Sequence, residues 1–156
     1  MNSLAKYLCL LLISTIFIAC EDHAIVDVNK DISSRNWSYI KKVSVPVKIN
    51  DINKTYNLYM NLRHTADYKY SNIFVLVREI APGGRQSVKR QEFQLAYPDG
   101  EWLGSGSGNL YSYQLPFREK YKFPVPGTYV FEFEQNMRDN PLREINNVGL
   151  RVEVAE

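Results

Sequence analysis

The sequence predicts an all-β fold: a single antiparallel β-sandwich, Ig-like or jelly-roll-like, of about seven or eight strands. Three observations predict it. Apolar residues recur at every second position in several short stretches, the period of a strand with one face buried. Turn signals containing Pro and Gly separate those stretches, and no window of helical length carries a 3.6-residue repeat. The composition agrees, with 11 Tyr, 7 Phe and 2 Trp among 156 residues, because aromatic side chains favour a pleated surface. Hydrophobic residues make up 45% and charged residues 23%. Those values belong to an ordinary globular domain and exclude a disordered tail or a multi-span membrane protein.

The first element, residues 1–19, reads as a secretory signal. Lys6 precedes an uncharged run from Tyr7 to Ala19, about 20 Å long if helical and so shorter than the ~30 Å hydrocarbon core. Cys20 follows Phe17-Ile18-Ala19, and polarity returns at once with Glu21-Asp22-His23. A cysteine directly after a small residue at the end of such a run resembles the bacterial lipoprotein processing site. That resemblance implies a diacylglycerol on the Cys20 sulfur and cleavage before it. Phe17 departs from the pattern, where an aliphatic residue is usual; the plainer alternative is an ordinary signal cut nearby, leaving Cys20 a free thiol. Of the two cysteines, Cys9 lies in the discarded segment, so the processed chain has no disulfide. Lipid on Cys20 would supply the membrane anchor, and no other cofactor is expected.

Residues 20–35 read as the lipidated N-terminus and a polar tether, and residues 36–156 as the sandwich. Val43, Val45, Val47 and Ile49 alternate with polar positions, and Pro46 confines that strand to a sheet edge or bulge. Tyr56, Leu58, Met60 and Leu62 line one face of the next strand. Ile73 to Val77 is continuously apolar and predicts a central strand covered on both sides. After the turn Ala81-Pro-Gly-Gly84, Gln91 to Tyr97 forms a weaker strand with Phe93 and Leu95 inward. Tyr111, Tyr113, Leu115 and Phe117 alternate again, Pro126-Gly127 turns the chain into Tyr129, Phe131 and Phe133, and Val148, Leu150, Val152 and Val154 close the fold.

Few residues offer chemistry. Lys+Arg 19 against Asp+Glu 17 gives a formal charge of +2, which falls to +1 when Lys6 leaves with the signal; neither suits a nucleic-acid binder. Gly100–Gly108 holds four glycines but leads into a strand pattern without a Lys, so it predicts a wide turn or bulge near Trp102 rather than a phosphate cradle. Asp27, Asn29 and Asp31 have the spacing of early calcium ligands, yet Ile32 stands where glycine is needed and Ser38 where the closing Glu belongs. Glu132 and Glu134, about 7 Å apart on one strand face, could hydrolyse a glycoside, but a solvated face opposite Phe131 and Phe133 explains them as well. His23 and His64 are the sole histidines, which argues against zinc and against a hydrolytic triad. The expectation is no catalytic residue, no metal and no small-molecule substrate.

Two polar loops remain. Arg63–Asn72 is dense in polar and aromatic groups, and Met137–Pro141 is the second. Either these are solvated connections, or they form a protein-docking surface, to which Arg63, His64, Trp102 and Arg138 would contribute.

Several blocks have a familial wording. Tyr56-Asn57-Leu58-Tyr59 leads to Asn61-Leu62-Arg63-His64-Thr65 and Tyr70-Ser71-Asn72. Gly100-Glu101-Trp102-Leu103-Gly104, Pro126-Gly127-Thr128-Tyr129, Phe133-Glu134-Gln135-Asn136-Met137-Arg138 and Val148-Gly149-Leu150-Arg151 follow. In this order, over residues 36 to 152, they resemble the gliding-motility lipoprotein family GldH. The resemblance implies an envelope lipoprotein, outer membrane more than inner, that works with other gliding lipoproteins and the type IX secretion apparatus and has no enzymatic activity. The alternative is a carbohydrate-binding envelope lipoprotein, suggested by Trp37, Trp102 and the tyrosines, and it requires aromatic faces exposed in a row.

Overall fold

The computed structural model describes residues 23–155. The predicted signal and Cys20 lie outside the described residues. Eleven strands are formed: β1 (Ala24–Asp31), β2 (Asn36–Trp37), β3 (Val43–Ile49), β4 (Tyr56–Thr65), β5 (Asn72–Ile80), β6 (Gln86–Gln94), β7 (Ser105–Ser107), β8 (Leu110–Tyr121), β9 (Gly127–Gln135), β10 (Leu142–Arg143) and β11 (Ile145–Val154). They build a five-stranded sheet in the order β1-β11-β4-β8-β7, a four-stranded sheet β3-β9-β5-β6 and a small β10-β2 ribbon, with all pairings antiparallel.

The predicted inward sets meet between the two larger sheets. Leu58, Met60, Val148, Leu150 and Val152 from one side, and Ile73, Val75, Tyr129, Phe131 and Phe133 from the other, are all fully buried. Each such side chain contributes about 1.5–3 kcal/mol on leaving water. Phe123 knits one end, with ring centroids 4.6 Å from Tyr129, 4.9 Å from Tyr121 and 5.4 Å from Tyr56. Pro46 sits on β3, an edge strand, as its missing N–H demands. Pro116 occupies a second permissive place, beside the register shift between Leu58 and Tyr59 on β4.

Three expectations need correction. Residues 24–31, read as tether, are strand β1, hydrogen-bonded along β11 from Ala24 to Asp31. Asp27, Asn29 and Asp31 are exposed, as is Ile25, while Val26 and Val28 lie at the rim, so the strand shows no strong alternation. The run Ile73–Val77 is covered on one face alone. Ile73, Val75 and Val77 are buried whereas Phe74 and Leu76 are half-exposed, with the Arg90 guanidinium 3.8 Å from the Phe74 ring centre. Strand β6 starts at Gln86 and ends at Gln94, so Leu95 and Tyr97 lie beyond it; as an edge strand with one face in solvent it needs few apolar residues.

Gly149 fixes how β1 joins the sheet. A Cβ built there would lie 1.9 Å from the Val28 carbonyl oxygen, a distance no side chain survives. Gly149→Ala is therefore expected to lower stability by about 1–3 kcal/mol, as overpacking does, and to strip hydrogen-exchange protection from β1 first. A urea midpoint equal to the wild type's would refute this.

Candidate functional site

The two polar loops come together. The chain leaving β4 and the segment between β9 and β11 face one another across an open cleft of about 720 Å3, whose rim includes Tyr68, Lys69, Tyr70, Arg138, Asp139 and Arg143. Its floor is organised by Thr65, whose hydroxyl donates to Glu144 Oε2 at 2.6 Å and whose N–H donates to the Glu144 carbonyl at 3.0 Å. Arg35 holds the same carboxylate at 3.3 Å. Buried Gln135 shapes the opposite wall, donating to the Asp139 carbonyl at 3.1 Å and accepting from the Met137 N–H at 2.8 Å.

Across the cleft, the Tyr70 hydroxyl donates to Asp139 Oδ2 at 2.6 Å, and Lys69 lies 3.6 Å from the same oxygen. The Tyr70 bond first, and Lys69 after it, hold the Asp139 carboxyl below its ordinary value. With Asp139 engaged in this way, Arg138 and Arg143 stand exposed on the rim.

Beneath the cleft His64 is fully buried. Its ring centroid lies 4.9 Å from Tyr68, 4.5 Å from Trp102, 5.9 Å from Tyr111 and 5.2 Å from Tyr113. Nδ1 is 2.7 Å from the Thr65 carbonyl, so Nδ1 carries a proton and donates; Nε2 is 3.0 Å from the Tyr113 hydroxyl. That hydroxyl also lies 2.9 Å from the Leu95 carbonyl. In the neutral state one Tyr113 proton thus serves two acceptors, whereas an imidazolium would satisfy all three contacts. Burial opposes that charge, and desolvation lowers the His64 pKa against the smaller, opposing effect of the Thr65 carbonyl. Desolvation likewise pushes the Tyr113 phenol up to about 12.

The predicted docking residues do not form one surface. His64 belongs to the interior, because it continues the inward set Tyr56, Leu58, Met60, Leu62 by two residues; that parity was the available signal. Arg63 points to the outer face of β4 and donates from Nε to Ser112 Oγ at 2.9 Å. Trp102 is half-buried against His64, and Arg138 alone of the four lines the cleft. Tyr70, Asp139 and Arg143, which sequence reasoning did not single out, complete it.

Other candidates resolve locally. Glu132 pairs with Arg78 at 3.4 Å and Glu134 with Lys42 at 3.3 Å on the outer face of the four-stranded sheet. Each carboxylate thus has its own cation, which argues against a hydrolytic pair. Asp27 accepts from Asn61 and Arg151, and Asp31 from Asn147; among the described residues no cluster of His, Cys, Asp or Glu could hold a metal. Trp37 is fully buried, its Nε1 donating to the Lys41 carbonyl at 3.1 Å, so it offers no face to a sugar. The glycines near Trp102 serve packing: a Cβ at Gly104 would sit 2.5 Å from the Tyr113 ring.

The buried histidine makes a pH prediction. A His whose pKa is depressed on folding binds fewer protons folded than unfolded, so stability falls as pH falls below the ordinary value of 6.5. Urea midpoints of the wild type should decline through that window, above the carboxylate range. Those of His64→Phe, less stable throughout, should stay flat. Parallel curves would show that His64 does not titrate with folding.

The family model for GldH lipoprotein matches residues 24–152, which takes in β1 as well as the predicted sandwich. The gliding motility lipoprotein GldH homolog of Christiangramia forsetii is 30% identical over 148 residues, spanning 90% of each chain. Gliding motility lipoprotein GldH of Flavobacterium johnsoniae is 30% identical over 151 residues, covering 92% of this chain and 93% of its own. No solved structure matches. With a matched family model over most of its length and two relatives at this identity and coverage, the chain belongs to the GldH lipoprotein family.

Proposed function

We propose that this protein is a non-enzymatic accessory lipoprotein of bacterial gliding motility and the associated type IX secretion machinery, anchored to the outer membrane through lipid on Cys20 and docking to envelope partners through the cleft. The observation that carries the docking part is the meeting of two sequence-distant polar loops around the Tyr70–Asp139 bond, with Arg138 and Arg143 exposed beside it. Arg and Tyr are the residue types that dominate protein contacts.

The position of β1 supports the same reading. Only three residues lie between Cys20 and Ala24, four chain steps that reach at most about 14 Å. Ala24 pairs with Glu153, and Val154 with Tyr56, at one end of the five-stranded sheet. Thr65 and Ile145, from which the cleft loops leave, lie at the other end, nine residues along β4, or roughly 30 Å. A lipid at Cys20 would place the sheet end near Ala24 against the bilayer and turn the cleft away from it, towards partners.

Two outcomes are expected. Cys20→Ala should leave the membrane fraction while keeping the β-rich circular dichroism of the wild type; retention in membranes would overturn the anchoring claim. The double change Arg138→Glu and Arg143→Glu should reduce, several-fold, the envelope proteins recovered by affinity purification from native membranes. Undiminished recovery would remove the cleft as the docking surface.

A further inference from the structure

The outer face of the five-stranded sheet carries a second concavity, separate from the cleft. It is a polar groove of about 360 Å3 lined by Asp27, Asn29, Asn61, Arg63, Ser112 and Gln114, among others, within the size range of small-ligand sites. We infer that this groove binds a neutral saccharide through its hydroxyl groups.

Asn61 lines this groove. It is 6% exposed, and its Nδ2 donates to Asp27 Oδ1 at 2.7 Å, which fixes the amide's orientation. Its Oδ1 is the one buried side-chain polar atom without a hydrogen-bond partner among the described residues. A buried acceptor left in this state is costly, so the site favours an occupant that brings a donor.

The surroundings select which donor. Cross-strand register sets Asn29, Gly149, Asn61 and Gln114 in one row across four strands. Asn29 and Gln114 are exposed, and their side chains make no bond among the described residues. Arg63 uses Nε on Ser112, leaving its terminal nitrogens to donate elsewhere. The groove thus offers one committed acceptor at its base, two free carboxamides that each donate and accept, and a guanidinium. A carboxylate or a phosphodiester has no proton for Asn61 Oδ1, and any anion, inorganic phosphate included, would meet the Asp27 charge. A metal ion would meet Arg63, and both Asp27 oxygens are already taken, by Asn61 at 2.7 Å and by Arg151 at 2.9 Å. A hydroxyl donates and accepts at once, and adjacent hydroxyls on a sugar ring match adjacent amides. Neither tryptophan lines the groove, so recognition rests on hydrogen bonds rather than stacking. It is a different site from the aromatic platform that the sequence suggested.

Calorimetric titration of the full lipidated chain, purified in a detergent without a sugar headgroup, tests the inference. The probes are the methyl glycosides of glucose, galactose, mannose and N-acetylglucosamine, with glycerol and inorganic phosphate as comparisons. At least one glycoside should bind saturably, and Asn61→Leu should weaken it roughly tenfold or more, the scale of lost buried hydrogen bonding. Should Asn61→Leu fail to fold, the surface double variant Asn29→Ala with Gln114→Ala, which disturbs no side-chain bond among the described residues, should give the same weakening. Absence of saturable binding by all four glycosides overturns the proposal. So does glycerol or phosphate binding as tightly, or glycoside binding unchanged in the variants.

Discussion

The two-residue period of one pleated strand governs most of this molecule. Strand β4 lies between β11 and β8, and its ten residues place successive side chains on opposite faces. The even-numbered set from Tyr56 to His64 faces the four-stranded sheet, while Asn57, Tyr59, Asn61 and Arg63 face outward. Where β4 ends at Thr65 the chain enters the cleft loop. Core, buried histidine, polar groove and cleft therefore share one register. A slip by a single residue would exchange the core row for the polar row, so no odd-numbered slip of β4 can keep the core buried.

Polar contacts close the two ends of the sandwich where apolar packing runs out. At the end near the chain's entry, Arg118 of β8 meets buried Glu79 of β5 at 2.7 Å, with the Tyr121 hydroxyl donating to the same carboxylate at 3.2 Å. This links the two sheets directly. Ion pairs of this kind add little net stability over an apolar filling, yet they are costly to break from one side and so fix relative placement. At the other end Tyr113 and His64 play that part, joining β4 and β8 to the Leu95 carbonyl just beyond β6. The described residues hold no cysteine, so they rely on packing and on these closures.

The fold was largely legible because alternation is a direct imprint of a half-buried strand. Val43–Ile49, Tyr56–Leu62, Tyr129–Phe133 and Val148–Val152 appear where the pattern puts them. What escaped detection shares one physical cause: the strands at the margins of the sheets bury too little to leave a pattern. Strand β1 is mostly exposed, with Val26 and Val28 at the rim, and β6 carries Gln86–Arg90 in solvent. The candidate site was half legible. Composition marked both loops as unusual, but their union depends on Tyr70 and Asp139, 69 positions apart in the chain, and nothing local encodes that meeting. His64 was misjudged for a different reason. A polar, titratable side chain at a strand end suggests the surface, and only counting parity from Tyr56 places it inside.

The pairing of β1 with β11 constrains how an anchor at Cys20 could act on the domain. A flexible segment from residue 20 to 35 would let the domain wander tens of ångströms from a lipid on Cys20 and adopt any orientation. Pairing of Ala24–Asp31 along β11 removes that freedom. Force applied at Cys20 would enter the sheet edge directly and run along β1, loading its hydrogen bonds to β11 in shear rather than peeling them one at a time. The close approach of the Val28 carbonyl to Gly149 reinforces that junction with contact no side chain could permit. Were Cys20 lipidated, an attachment within a few residues of a sheet edge could transmit load to the body, and the cleft at the sheet's opposite end would lie on the side away from the membrane. A long tether could supply neither.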